Sequence, residues 1–357
     1  MTTTDIPVNL TGNPLPAPAA RRRSRGQWVD RIVHRLAAGS GVIVLLMMAA
    51  LVSVLFYAAA PSIKTFGLKF FTETSWRPNA LEKIKRTPEG KIIRDADGEA
   101  VVDTIPPVFG ALPVIYGTAV SSAIALLFAV PMSLGTAMFL IRIAPAKLAG
   151  PVSFLVEFLA AIPSIAFGLW GLFVLAPFLQ SHVEPSLNAG FGAIPGLRWL
   201  HYDGMPTGRD MLAGGLVLGI MVLPIITAVS RDVLRAVPQT QIEGTLALGA
   251  TWWQSCREML RYSRSGLFGA VMLGLARAAG ETMAVTMVIG NVNQVVASPL
   301  APAQTMASLL ANQFAEADGG LHRSALLQVA LILLLMSLAF NVVARALVVG
   351  KQPTVTQ

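Results

Sequence analysis

Arg277 and Glu281 put ionisable chemistry where charge is costly. They stand four positions apart in Ala276-Arg277-Ala278-Ala279-Gly280-Glu281-Thr282. The stretch around them, Gly266 to Gly290, is apolar enough to lie inside a bilayer. A charged side chain at that depth costs about 2.5–3.5 kcal/mol on insertion scales, so it is kept for a use or for a partner in a water-filled cavity. The spacing predicts that both groups share one helix face. A guanidinium offers a fork of donors that matches the oxygens of phosphate or sulfate. Glu281 beside it would hold the fork and weaken its grip, which suits a pathway better than a tight site. The competing reading is a salt bridge that locks two helices together.

Other chemistries find little support. Cys256 is the single cysteine, which excludes an internal disulfide and any cysteine metal cluster. His34, His182, His201 and His322 are scattered near segment ends and read as loop or interfacial residues, not metal ligands. Gly90-Lys91 and Gly350-Lys351 lack the glycine-rich approach and the following Ser or Thr of a phosphate-cradling loop. No nucleophile–base pair falls on a shared face. No nucleotide site, metal, cofactor or enzymatic activity is therefore expected.

Groups such as Arg277 and Glu281 need membrane-crossing helices to position them. The 357 residues are 54% hydrophobic and only 13% charged, with a mean hydropathy of +0.63. A soluble domain carries about twice that charge. The net charge of +8 would suit nucleic acid, but the basic residues gather beside the apolar runs, so nucleic acid is not an expected partner.

The pattern predicts an all-α membrane protein of six spans, near 36–60, 113–141, 152–179, 211–230, 266–290 and 324–349. Residues 1–35 read as a basic tail and 36–60 as a retained first anchor, too long for a secretory signal core. Residues 61–112 form a loop with a small hairpin, 113–349 the main transmembrane domain, and 350–357 a short tail. Gln180–Asp210 and Asn291–Arg323 read as polar loops, and Glu157 as a headgroup contact. Basic residues beside the spans, among them Arg35, Arg142, Lys147, Arg231, Arg235, Arg257, Arg261 and Arg264, place both termini in the cytoplasm.

Between the fourth and fifth spans, Glu243 to Tyr262 is too charged to cross. Leu246, Ala250, Trp253, Cys256 and Leu260 recur at helical spacing and predict an apolar stripe. Gly249 and Thr251 weaken the middle, so two short helices with a bend are expected. This elbow is read either as a docking element or as a helix resting on lipid headgroups.

Glu243, the small residues after it and Gly249 resemble the cytoplasmic loop of ABC importer permeases. Gly244-Thr245 stand where that family often has Ala-Ala, and Arg261-Tyr262 where it often has Leu-Pro. Further stretches are similar to the C-type permease of high-affinity phosphate systems: Phe109 to Thr118, Ala129 to Gly135, Glu157 to Ser164, Gly168 to Gly171, Ala247 to Thr251, and Arg277 to Ala284. The resemblance implies an inner-membrane permease subunit that passes inorganic phosphate and is driven by ATP hydrolysed on a separate subunit. Its implied partners are an A-type permease subunit, two ATPase subunits and a periplasmic phosphate-binding protein. It implies that Arg277 and Glu281 line the pathway. It also implies that Glu243–Tyr262, with Glu243, Gly249, Ala250 and Trp253, is the coupling helix. The alternatives are a permease for sulfate or molybdate, or a secondary anion transporter working alone, although no repeated halves are visible.

Overall fold

The computed structural model describes residues 26–79, 81–84, 102–317 and 319–349. Most of the expected N-terminal tail, the tip of the 61–112 loop and the C-terminal tail lie outside the described residues. The chain divides into two units, one ending at Val54 and the other starting at Leu55. Helix α1 (Gly26–Phe66) includes the first expected span. The short α2 (Lys69–Thr72) follows. The hairpin-bearing loop is present as two antiparallel pairs. β1 (Trp76–Arg77) pairs with β4 (Val108–Phe109), and β2 (Leu81–Ile84) pairs with β3 (Val102–Ile105), with Leu81 opposite Ile105.

Among the described residues, five helical stretches are long and apolar enough to cross a membrane. α3 (Leu112–Met138) extends through a wide turn to Ile143. The third expected span is redrawn. Its first part is α4 (Ala146–Ala161), which stops where Ile162-Pro163 breaks the helix. The crossing stretch is Ser164–Ala193, built from α5 (Ser164–Trp170), α6 (Ala176–Phe178) and α7 (Glu184–Ala193) joined by wide turns. Residues 180–193, expected as loop, are therefore helical. α8 (Met211–Arg235) and α14 (Gly320–Val349) complete the set.

The fifth expected span is not continuous. α11 (Arg264–Ala279) ends at Gly280, and α12 (Met283–Val288) starts after a break. Neither piece alone is long enough to cross. The stretch after α12 is also corrected. Its polar composition predicts a surface loop, yet Ser298, Leu300, Ala301, Ala303 and Gln304 are buried, and α13 (Met306–Gln313) follows. Its backbone groups find partners inside: Tyr116 Oη donates to the Val296 carbonyl at 3.0 Å, and the Met306 N–H donates to Thr118 Oγ1 at 2.9 Å. Irregular backbone at membrane depth is tolerated only when it is satisfied in this way.

α8 is the central helix. Of its most apolar window 61% is buried, against 28% or less for the other four. Small residues let α3 approach it. A Cβ on Gly215 would stand 2.5 Å from Ile124, and one on Gly219 would stand 2.9 Å from Phe128. Around this contact Leu218, Val222, Ile226, Ala125, Ala129, Ala278 and Val285 form the main apolar core. A polar staple ties the end of α1 to α14: Ser62 Oγ donates to Gln328 Oε1 at 2.6 Å, and Ser324 Oγ donates to the Ala58 carbonyl at 3.0 Å.

The approach of α3 to the buried segment is closer still. A Cβ on Gly117 would lie 2.3 Å from the carbonyl oxygen of Gln304. Backbone cannot yield as a side-chain tip does. Gly117→Ala is therefore expected to destabilise by about 1–3 kcal/mol, seen as a lower unfolding midpoint of the purified chain in detergent, while Gly150→Ala, with open space around it, leaves the midpoint in place.

Candidate functional site

α11 carries Arg277 in its last turn, and the helix ends two residues later. The Glu281 N–H reaches back to the Ala278 carbonyl at 3.3 Å, and Thr282 Oγ1 donates to the Gly280 carbonyl at 3.3 Å. The two charged groups therefore do not share a helix face as the spacing predicts. Glu281 sits in the break, nearly buried at 9% exposure, and Arg277 is 51% exposed. Arg277 Nη2 lies 3.9 Å from Glu281 Oε2. That is charge contact without a hydrogen bond, so the carboxylate orients the guanidinium and leaves its donor fork unspent. The contact joins the last turn of α11 to the break before α12.

Leu273, Arg277 and Met283 are exposed along α11 and α12, at 46%, 51% and 56%. The opposite side is packed, with Gly274 against Ile226 of α8. Were this side to lie in the bilayer, a half-exposed arginine resting against lipid would carry a large cost.

The elbow folds as two helices with a bend, as expected. α9 (Gln239–Ala247) and α10 (Trp252–Tyr262) are separated by Leu248 to Thr251. Gly249 has φ +83, the left-handed conformation that ends many helices, and its N–H donates to the Leu246 carbonyl at 2.9 Å. Thr251 then starts α10 with a capping box: its Oγ1 accepts from the Gln254 N–H at 3.3 Å, and Gln254 Oε1 accepts from the Thr251 N–H at 2.7 Å. Thr-x-x-Gln was legible in the sequence, but the capping box escaped the periodicity reading.

The expected stripe is corrected here. The bend breaks the helical phase, so residues on its two sides do not share a face. Ile242, Ser255, Cys256 and Met259 are buried, and Ile242 and Met259 pack with Leu234, Val237, Leu267 and Ala137. Leu246 and Trp253 point outward instead, at 44% and 67% exposure. Leu248 at 91% and Trp252 at 45% join them. Glu243 is exposed and Ala250 half-buried. Leu248, Gly249, Ala250, Gln254, Arg257 and Arg261 line an open hollow. Leu246, Leu248, Trp252 and Trp253 thus leave apolar surface exposed on the elbow, with Leu248 at the edge of the hollow.

The elbow and the charged break are joined through one helix of the chain. Only Ser263 separates α10 from α11, so the elbow runs almost directly into the helix that carries Arg277. From Arg264 to Arg277 is about 20 Å at the helical rise per residue. Glu157, expected at a headgroup, instead pairs with Arg231 of α8, Nη1 to Oε1 at 3.0 Å, and ties α4 to the elbow end of α8.

The family described as binding-protein-dependent transport system inner membrane component matches residues 129–350. The phosphate transport system permease protein PstC of Mesorhizobium japonicum is 40% identical over 88% of this chain and 89% of its own length. That of Haemophilus influenzae is 38% identical over 94% of this chain and 98% of its own, and that of Pasteurella multocida 39% identical over 92% and 95%.

Proposed function

The chain belongs to the binding-protein-dependent transport inner-membrane component family, and from that premise we propose that it is the permease subunit through which an ATP-driven importer passes inorganic phosphate. The observation that carries the substrate is the 40% identity, across 88% of the chain, to a relative named as a phosphate transport permease. The unspent donor fork of Arg277 supports it chemically, because guanidinium geometry matches a tetrahedral oxyanion.

In this account the exposed side of α11 and α12 faces a second, A-type permease subunit, and the anion passes between them. Arg277 contacts the oxyanion in transit. Glu281, at 3.9 Å, keeps that contact weak enough to release it. The basic residues beside the elbow support a cytoplasmic side for the elbow and for both termini. An ATPase subunit docks on Leu248, Trp252 and Trp253, with Glu243, Gly249 and Ala250 shaping the surface. One ATPase sits on each permease, and closure of the ATPase pair pushes α10 against α11. The elbow's junctions with α8 and α11 turn that push into opening of the pathway toward a phosphate-loaded periplasmic binding protein.

Uptake of radiolabelled phosphate into cells carrying the complete transporter tests the cargo. Excess unlabelled phosphate is expected to suppress uptake, while equal sulfate or molybdate leaves it unchanged. Absence of labelled-phosphate uptake, or suppression by sulfate or molybdate as strong as that by phosphate, would overturn phosphate as the cargo.

A further inference from the structure

At the end of α8 remote from the elbow, two carboxyl groups meet inside the protein. Glu184, the first residue of α7, and Asp210, the N-cap of α8, are both fully buried. One oxygen of each is held by backbone. Glu184 Oε2 accepts from the Gly208 N–H at 3.3 Å, and Asp210 Oδ1 accepts from the Ala213 N–H at 2.7 Å. Gly208, which Glu184 holds, stands two residues before Asp210, and the Glu184 charge acts on the Asp210 carboxyl. Among the described residues, Glu184 Oε1 and Asp210 Oδ2 have no donor. Ionised carboxylates only accept, so two facing each other in a dry site repel, and one must carry a proton for a bond to form.

Among the described residues neither Glu184 nor Asp210 takes part in an ion pair. On the flanking segments, His182 stacks on Phe178 and bonds Ser181, and His201 lies 3.6 Å from Asp203 and bonds the Asn188 carbonyl. Arg209 is exposed. Ser298 to Ala303, packed beside the cap, contains no titratable side chain. The Met211 and Leu212 N–H groups, next to Asp210, hold the Ala301 and Pro299 carbonyls at 3.2 and 2.9 Å. The carboxyl pair thus sits where the α5–α7 stretch, α8 and the buried segment before α13 come together.

We propose that Glu184 and Asp210 share one proton in an acid–carboxylate bond that latches the α5–α7 stretch to the start of α8, closed in mildly acidic medium and loosened as the medium turns alkaline. Burial is the main cause that lifts the Asp210 carboxyl to about 7; the Ala213 N–H opposes the rise and the Glu184 charge adds to it. The folded pKa lies above the ordinary carboxylate value. The latch therefore contributes fully below that ordinary value, and its contribution is lost as pH climbs to about 7.

Hydrogen exchange in the full chain, purified in detergent, tests this. The readout is the peptide covering residues 205–215, corrected for the intrinsic effect of pH on exchange. Opening of that peptide is expected to be at least about tenfold more frequent at pH 8 than at pH 5.5. In Glu184→Gln an amide hydrogen replaces the shared proton at every pH, so the difference should vanish. Asp210→Asn should behave alike, since its carbonyl oxygen can still cap α8, and it decides the matter if the first variant fails to fold. Opening that is independent of pH in the unmodified chain, or a tenfold difference that survives in the variants, would overturn the latch.

Discussion

Arg277→Gln is expected to lower phosphate uptake by roughly tenfold to hundredfold, while the subunits still assemble and the ATPase still binds. A hydrogen bond to a charged group contributes about 1.5–3 kcal/mol, and glutamine keeps polarity but loses both charge and fork. Assembly should survive because Arg277 is half exposed and, among the described residues, its one ion pair is the 3.9 Å contact with Glu281. Arg277→Lys separates charge from geometry. It keeps the cation as a compact point and forfeits the paired donors, so its uptake should fall between the other two. The measurement is initial uptake of labelled phosphate, normalised to transporter recovered by affinity purification. Undiminished uptake in Arg277→Gln would remove the residue from the pathway.

Gly249→Val should damage coupling more than stability. The residue has φ +83 and nothing within 4 Å of where a Cβ would stand. Space is therefore available, and the obstacle is the backbone. A left-handed conformation costs an ordinary residue about 1–2 kcal/mol, and β-branched residues rarely adopt it. The chain would relieve that strain by reshaping the bend between α9 and α10, moving Leu248 and Trp253 off their surface. Phosphate carried per ATP hydrolysed should drop several-fold, or the ATPase should be lost on purification. Asparagine tolerates left-handed backbone, so Gly249→Asn should retain most of the coupling. Equal, unimpaired coupling in both variants would count against the docking role of the elbow.

Much of this architecture was legible as long apolar runs. α3, α8 and α14 stand close to their expected places because uninterrupted hydrophobic sequence of that length has one common solution in a bilayer. The bend at Gly249 was legible too, from weak helix formers between two amphipathic pieces. What escaped depended on contacts distant in sequence. The break at Gly280 interrupts an otherwise helical run, and its local signal was only a glycine followed by Glu281-Thr282, a stop pattern that apolar periodicity outweighs. The residues before α13 look like a solvated loop until Tyr116 and Thr118 of α3 are seen to bond their backbone. Glu184 and Asp210 are separated by a Gly- and Pro-containing stretch and follow no spacing rule, so only folding brings them together. The stripe through Leu246 and Trp253 failed because periodicity assumes one continuous helix, and the four residues of the bend reset it.

The central claim is that this chain is a passage opened by a separate ATP-hydrolysing subunit acting through the elbow. Phosphate flux into proteoliposomes tests it most directly, comparing the purified chain alone with the reconstituted assembly of both permease subunits, the ATPase and loaded binding protein. The account predicts ATP-dependent accumulation only in the full assembly, abolished when the ATPase is left out. Phosphate accumulation by the chain alone, without ATP, would contradict it.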